Sequence, residues 1–274
     1  MTALFQRFSS ESNAVRLISR GTYEREEHQA QVFSYLYPMR HYGLLGTPLT
    51  HSFSPNYFKN KFLKENTPAE YLLFDTPHPN PQLLFQQDPL LHGLNVTIPH
   101  KQAVIPFLYE IDPTAAAIGA VNTIKKMADG QLKGYNTDAP GFEQAFRKIA
   151  QPHQKTALIL GNGGASLAIL HVLQNLGIST SVWTRKEIQT PPVSLQNFSI
   201  IVQCTPVGTF PNEHECLPLR FSEINSGTSV IDLIYNPAET VFLQQCRLRG
   251  AVTQNGLPML ENQAELSWSI WNGI

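Results

Sequence analysis

The stretch Thr156–Ser166 constrains the fold of this chain more than any other. Thr156–Leu160 is short and apolar, and it runs straight into Gly161-Asn162-Gly163-Gly164-Ala165-Ser166. Leu167–Leu176 then takes up a helical pattern, with Gly177 standing as its C-terminal stop. Ile178–Trp183 reads as the next strand. A strand that turns through glycines into a helix and returns as a strand is a βαβ unit, whose two strands lie parallel in one sheet. Gly161 permits the tight turn and Gly163 lets backbone approach a ligand. The helix N-terminus favours negative charge at that point, so the segment has the design of a dinucleotide pyrophosphate cradle. The third glycine of that fingerprint is replaced by Ser166, a small residue.

The same rhythm runs through the rest of the chain. Strands are predicted over Tyr42–Gly46, Tyr71–Phe74, Leu91–Thr97, Ser199–Gln203 and Ser229–Leu233. A helix is predicted from Ser54 toward Asn66, with Ser54 as a hydroxyl N-cap and Pro55 at the first helical position. A short helix is expected around Leu83–Phe85, and another over Lys101–Tyr109. Ala120–Lys126 and Gln131–Tyr135 flank Asp129-Gly130, a two-residue hairpin signal. The alternation predicts α/β architecture with mostly parallel sheets, and 274 residues suffice for two domains.

Charge narrows the partners. Lys plus Arg is 20 and Asp plus Glu is 21, a net charge of −1, so no basic field exists to hold nucleic acid or an anionic membrane. An anionic ligand must therefore be caught by local geometry. The three cysteines, Cys204, Cys216 and Cys246, are odd in number and form no C-x-x-C, which points to a reducing, cytoplasmic setting. Cys204 reads as a small hydrophobe at a strand end. No apolar run is long enough to span a bilayer, and the first residues hold no signal-peptide core. Arg7, Arg16 and Arg20 with a single acid, Glu11, give only a faint transit-segment look. Residues 1–41 read as an extension that carries no chemistry. The nine histidines have no metal-ligand spacing, so no metal is expected, and His51 and His100 read as pocket-edge or surface residues.

Several polar residues stand where a buried α/β core gives them no structural task. Asn95 and Thr97 share one face of a strand by its period of two, and Asn122 repeats the anomaly. Ser52, two residues before the helix start, has no capping role. Lys101 and Asp138 fall at the carboxyl side of strands, where ligands of open α/β sheets collect. Hydride transfer to a ketone builds negative charge on its oxygen, and a Lys–Asp pair can meet that charge and share a proton with it. Taken singly, Lys101 also reads as a solvated helix-start residue and Asp138 as a helix cap. After the second strand of the βαβ unit come Thr184-Arg185-Lys186, two cations suited to a ribose 2′-phosphate, which favours NADP. Glu187 follows closely and leaves NAD open.

Read together, His51-Ser52-Phe53-Ser54-Pro55, Asn95-Val96-Thr97-Ile98-Pro99-His100-Lys101, Gly119-Ala120-Val121-Asn122-Thr123 and Tyr135-Asn136-Thr137-Asp138, in this order ahead of the glycine turn, resemble the shikimate dehydrogenase family. Asp232-Leu233-Ile234-Tyr235-Asn236-Pro237 and Gly256-Leu257-Pro258-Met259-Leu260 with Gln263 extend the likeness over roughly residues 42–272. The resemblance implies reversible reduction of 3-dehydroshikimate to shikimate with NADPH, on the route to chorismate and aromatic amino acids. It implies Lys101 and Asp138 as the catalytic pair. Ser52 and Ser54 would bind the substrate carboxylate, with Asn95, Thr97, Asn122, Tyr235 and Gln263 completing the substrate site. Gly161, Gly163, Gly164, Ala165, Thr184, Arg185, Lys186, Thr205 and Gly256 would contact NADP. It further implies an N-terminal α/β substrate-binding domain over 42–137, completed by a C-terminal helix in 258–274. A Rossmann-like dinucleotide-binding domain over 138–257 would face it across a cleft. The implied partner is the small-molecule substrate alone, for a cytoplasmic monomer or homodimer. Two alternatives stay open: a quinate/shikimate dehydrogenase using NAD, and a non-catalytic ligand-sensing homologue.

Overall fold

In a computed structural model, which describes residues 39–50, 52–189 and 194–274, the alternation resolves into two sheets. Most of the expected extension, residues 1–38, and His51 lie outside the described residues. The first sheet contains β1 (Arg40–Gly46), β2 (Ala69–Asp75), β3 (Leu91–Val96), β4 (Glu110–Ile111), β5 (Thr123–Lys126) and β6 (Leu132–Tyr135), in the order β2-β1-β3-β5-β6-β4. β1 pairs parallel with β2 and β3, whereas β3–β5 and β5–β6 are antiparallel. Buried Tyr42, Leu44 and Leu45 make the middle of β1 a nearly continuous apolar run, as a parallel strand covered on both faces requires. Helices α1 (Ser54–Lys64), α2 (Pro81–Gln87) and α3 (Pro113–Ile118) join these strands.

Three local expectations are corrected. Lys101–Tyr109 is not an α-helix: it forms turns and one 3-10 turn at Ile105–Phe107. Pro106 has no N–H to offer and disfavours helical backbone in the residue before it. The hairpin loop has three residues, because Met127 N donates to Gln131 O at 2.8 Å. Gly130 takes the left-handed position that closes this longer turn, at φ +86°. Ser54 is no cap. Phe53 precedes α1 without any side-chain capping bond, and Ser54 is already helical.

The second sheet holds β7 (Thr156–Leu160), β8 (Ser179–Trp183), β9 (Ile200–Gln203), β10 (Ser229–Asp232) and β11 (Val252–Gln254), all parallel, in the order β11-β10-β9-β7-β8. Its helices are α4 (Asp138–Phe146), α5 (Gly164–Asn175), α6 (Arg185–Gln189) and α7 (Val241–Arg247). Alternate residues of β7 feed opposite cores: Ala157 and Ile159 pack with α4 and α5, and Leu158 and Leu160 pack with α7. From β7 the chain moves to β8 on one side and later to β9 on the other. The loops leaving β7 and β9 therefore diverge and open a crevice at the carboxyl end of the sheet.

The final helix, α8 (Leu257–Asn272), crosses back to the first sheet. Trp271 Nε1 donates to Ile124 O at 3.0 Å, and Trp268 and Trp271 pack on Tyr42 with ring centroids 5.3 and 4.8 Å away. Gly93 of β3 has no side chain because Trp271 lies there; a Cβ would sit 2.6 Å from Trp271 Cε2. Among the described residues no helix is long and apolar enough to cross a membrane, and no cluster of possible metal ligands occurs.

Candidate functional site

A cavity of about 250 Å³ opens where the first sheet, the start of α4, the loop after β10 and α8 converge. Ser52, Ser54, Asn95, Thr97, Lys101, Asn122, Asp138, Tyr235 and Gln263 all line it. These residues come from sequence positions far apart, and the folds of the elements bring them together. Asn95 is the penultimate residue of β3 and Thr97, just past its end, follows on the same side. Asn122 stands immediately before β5, and Asp138 is the first residue of α4. Tyr235 follows β10 and meets Phe53 edge-on, with centroids 5.6 Å apart. Ser52 donates to Leu49 O at 3.0 Å, and Gln263 Nε2 donates to Leu260 O at 3.0 Å.

Lys101 and Asp138 are the only charged side chains among the described residues lining this cavity. Lys101 Nζ lies 2.6 Å from Asp138 Oδ2, and the two side chains are 12% and 7% exposed. In this shielded setting their attraction is far less screened than at the surface. The turn that carries Lys101 is pinned on both sides. Lys101 O accepts from Val121 N at 2.7 Å, and His100 Nε2 donates to Thr76 O at 2.7 Å. His100 is thus a buried anchor, not the pocket-edge or surface residue expected from sequence. Its imidazole replaces solvent as the partner of a carbonyl at the end of β2.

One wall of the cavity is a buried polar network. Asn95 Oδ1 accepts from Tyr71 OH at 2.8 Å, and Asn95 Nδ2 donates to Ser267 Oγ at 2.9 Å. Asn122 Oδ1 accepts from Thr137 N at 2.7 Å, and its Nδ2 donates to Thr137 Oγ1 at 2.9 Å. Ser267 Oγ donates in turn to Gln263 O at 2.9 Å and lies 2.8 Å from Thr123 Oγ1. Such a network fixes its amides only if every member is satisfied. Sequence reasoning misses Tyr71, Thr123, Thr137 and Ser267. Thr123 and Thr137 stand inside the quoted motifs, but nothing marks the lone Ser267 of α8 or Tyr71 of β2.

The glycine turn lies at the crevice between β7 and β9. Gly161 has φ +105°, and a Cβ there would meet Thr205 Cγ2 at 3.0 Å, so conformation and space both require glycine. Gly163 faces open space, with nothing within 4 Å of where its Cβ would stand. Gly164 and Ala165 begin the twelve-residue α5. After β8, Glu187 Oε2 accepts from Thr184 N at 2.6 Å and from the Thr184 hydroxyl. The glutamate reaches back to the residue before α6, as in a capping box. The Thr184 hydroxyl and amide bonds hold the Glu187 carboxyl below its ordinary range. Arg185 and Lys186 are exposed. Gly256 has a packing task of its own: its N donates to Ile234 O at 3.0 Å, and a Cβ would lie 2.5 Å from Leu233 C.

Asp232, at the end of β10, is fully buried. Its Oδ2 accepts from Thr240 Oγ1 at 2.6 Å and its Oδ1 from Ile234 N at 3.0 Å. Burial nonetheless dominates and pushes the carboxyl from 3.8 up to about 6. Because the native protein holds this proton more tightly than the unfolded chain, the contribution of Asp232 to stability is present below pH 3.8 and lost as pH rises through about 6. Asp232→Asn removes that dependence. The unfolding free energy of the variant relative to wild type is expected to increase between pH 4 and pH 7 in denaturant titrations. A difference that stays flat over this range would show that Asp232 does not titrate there.

Comparison with known proteins gives a consistent result. Residues 44–124 match the profile of the shikimate dehydrogenase substrate binding domain. A shikimate dehydrogenase (NADP(+)) of Bacillus cereus is 37% identical over 267 residues, covering 85% of this chain and 92% of that protein. One from Methanosphaera stadtmanae is 35% identical over 257 residues, covering 84% and 90%. The crystal structure of shikimate 5-dehydrogenase from Thermus thermophilus, in complex with NADP(H) and shikimate, aligns with a TM-score of 0.75 at 32% identity. That alignment covers 86% of this chain and 94% of the solved one.

Proposed function

The chain belongs to the shikimate dehydrogenase family, and from that premise we propose that it reduces 3-dehydroshikimate reversibly to shikimate with NADPH. The observation that carries the proposal is the shielded Lys101–Asp138 pair, 2.6 Å apart, in a cavity otherwise lined by hydroxyls, amides and apolar groups.

The residues present suit a dinucleotide. The open space over the exposed Gly163, the left-handed Gly161 and the N-terminus of α5 form a cradle that side chains would fill. Gly161, Gly163, Gly164 and Ala165 would hold the diphosphate, with Thr184, Arg185 and Lys186 at the adenosine end and Thr205 and Gly256 near the nicotinamide side. The engagement of Glu187 with Thr184 supports NADP over NAD, since that carboxylate is already committed to the helix start. When bound, the nicotinamide supplies the hydride in one direction and accepts it in the other. The protein's task is the oxygen. As the ketone carbon is reduced, Lys101 Nζ meets the charge developing on the carbonyl oxygen, and the Lys101–Asp138 pair passes it a proton. Ser52 and Ser54 hold the substrate carboxylate, and Asn95, Thr97, Asn122 and Gln263 grip the ring with Tyr235 beside it.

In this reading residues 42–137 with 258–274 form the substrate-binding domain and 138–257 the NADP-binding domain. The enzyme acts in the cytoplasm as a monomer or homodimer. The test is loss of NADPH absorbance on addition of 3-dehydroshikimate, repeated with NADH and, in reverse, with quinate in place of shikimate. Turnover preferring NADPH and shikimate is expected. Folded protein that oxidises no NADPH would sink the proposal, and faster turnover with NADH would reassign the cofactor.

A further inference from the structure

Gly164, like Gly163 and unlike Gly161, is not in the left-handed region, so its backbone tolerates any residue, and it opens a regular helix. What occupies the place of its side chain is Lys101. A Cβ on Gly164 would stand 3.1 Å from Lys101 Cδ, 3.3 Å from Cβ and 3.6 Å from Cγ. The alkyl stem of the lysine therefore lies along the bare first turn of α5 while its ammonium reaches Asp138 at 2.6 Å. The backbone of Lys101 cannot retreat freely, because its carbonyl is bound to Val121 N and its neighbour His100 is tied to Thr76 O.

We propose that Gly164 is a positioning residue for Lys101: the bare backbone at the start of α5 is the floor that sets the lysine's reach to Asp138. The inference rests on the catalytic reading of the Lys101–Asp138 pair. It makes the segment that cradles the cofactor and the group that handles the proton one mechanical unit. A methyl at residue 164 lifts the stem by a few tenths of an ångström at a point where the ammonium has little slack. Reacting groups misplaced by about 1 Å can lose about a hundredfold in rate, so a smaller shift is expected to cost about tenfold in kcat.

The test compares wild type, Gly164→Ala, Lys101→Ala and the double variant. In cofactor-free protein, acetylation of Lys101 by acetic anhydride is mapped by mass spectrometry and normalised to exposed lysines. An ammonium moved away from Asp138 is no longer engaged by the charge-assisted hydrogen bond that holds it, so labelling of Lys101 in Gly164→Ala is expected to rise at least about threefold. With 3-dehydroshikimate and saturating NADPH, kcat falls about tenfold. In the Lys101→Ala background Gly164→Ala causes no further fall in kcat at saturating NADPH, because the stem is gone. Unchanged Lys101 labelling overturns the proposal, as does an equal loss of kcat in the Lys101→Ala background. If Gly164→Ala fails to fold, the double variant must fold, and one that does not overturns it too. Altered labelling in an enzyme that turns over no 3-dehydroshikimate would remove the catalytic reading and leave the Gly164–Lys101 coupling standing.

Discussion

Lys101→Ala is expected to lower kcat by about a thousandfold while weakening shikimate binding by less than about tenfold. The asymmetry follows from what each group meets in the ground and transition states. In the proposed reaction the substrate alcohol is neutral, and the hydroxyl and amide groups that line the cavity remain in place when the lysine is cut back. The charge that Lys101 addresses exists only while hydride is moving, so its loss falls on the rate. Truncation also leaves Asp138 without its partner, 7% exposed beside the reacting oxygen, and a carboxylate there opposes the developing negative charge. Steady-state kinetics set against calorimetric binding of shikimate separates the two effects. A variant whose KM rises while kcat holds would make Lys101 a binding residue only.

The relation between sequence and site shows where single-sequence reasoning has power. The βαβ core is legible because Leu158 and Leu160 alternate with Ala157 and Ile159, and glycines punctuate the strand and helix ends. The cavity-lining residues are legible because a polar side chain on a buried strand, such as Asn95, has no partner visible in the sequence around it. What escapes is set by long-range packing. β4 is two residues long and exists only through its pairing with β6. The segment after Lys101 has an apolar, helix-like pattern, and Pro106 together with anchors at Thr76 and Val121 overrides it. Ser267 and Tyr71 become visible only once α8 folds back and β2 joins β1, because each acts through Asn95. The role of His100 as an anchor cannot be read locally, since its acceptor lies 24 positions away.

Gly256 gives the sharpest contrast between a motif reading and a packing reading, and Gly256→Ala separates them. As a cofactor contact, Gly256 could accept a methyl with loss of NADPH affinity alone. The geometry demands more. The added Cβ would stand 2.5 Å from Leu233 C and still closer to Leu233 O, and both are backbone atoms. They cannot step aside. Leu233 N is bound to Gln203 O at 2.9 Å, and Ile234 N is held by the buried Asp232. The strain must be taken up by the chain entering α8, breaking the Gly256–Ile234 bond and shifting the helix that carries Gln263 and Ser267. Overpacking against fixed groups costs about 3 kcal/mol. At about 3 °C per kcal/mol for a protein of this size, Tm is expected to drop by about 10 °C in the absence of any ligand. Because Ser267 holds Asn95 and Gln263 lines the same cavity, folded Gly256→Ala should also show a raised KM for shikimate. An unchanged Tm with weakened NADPH binding would return Gly256 to a cofactor role. A lowered Tm with unaltered NADPH affinity would assign it to the junction between β10 and α8, where the cavity's far wall is built.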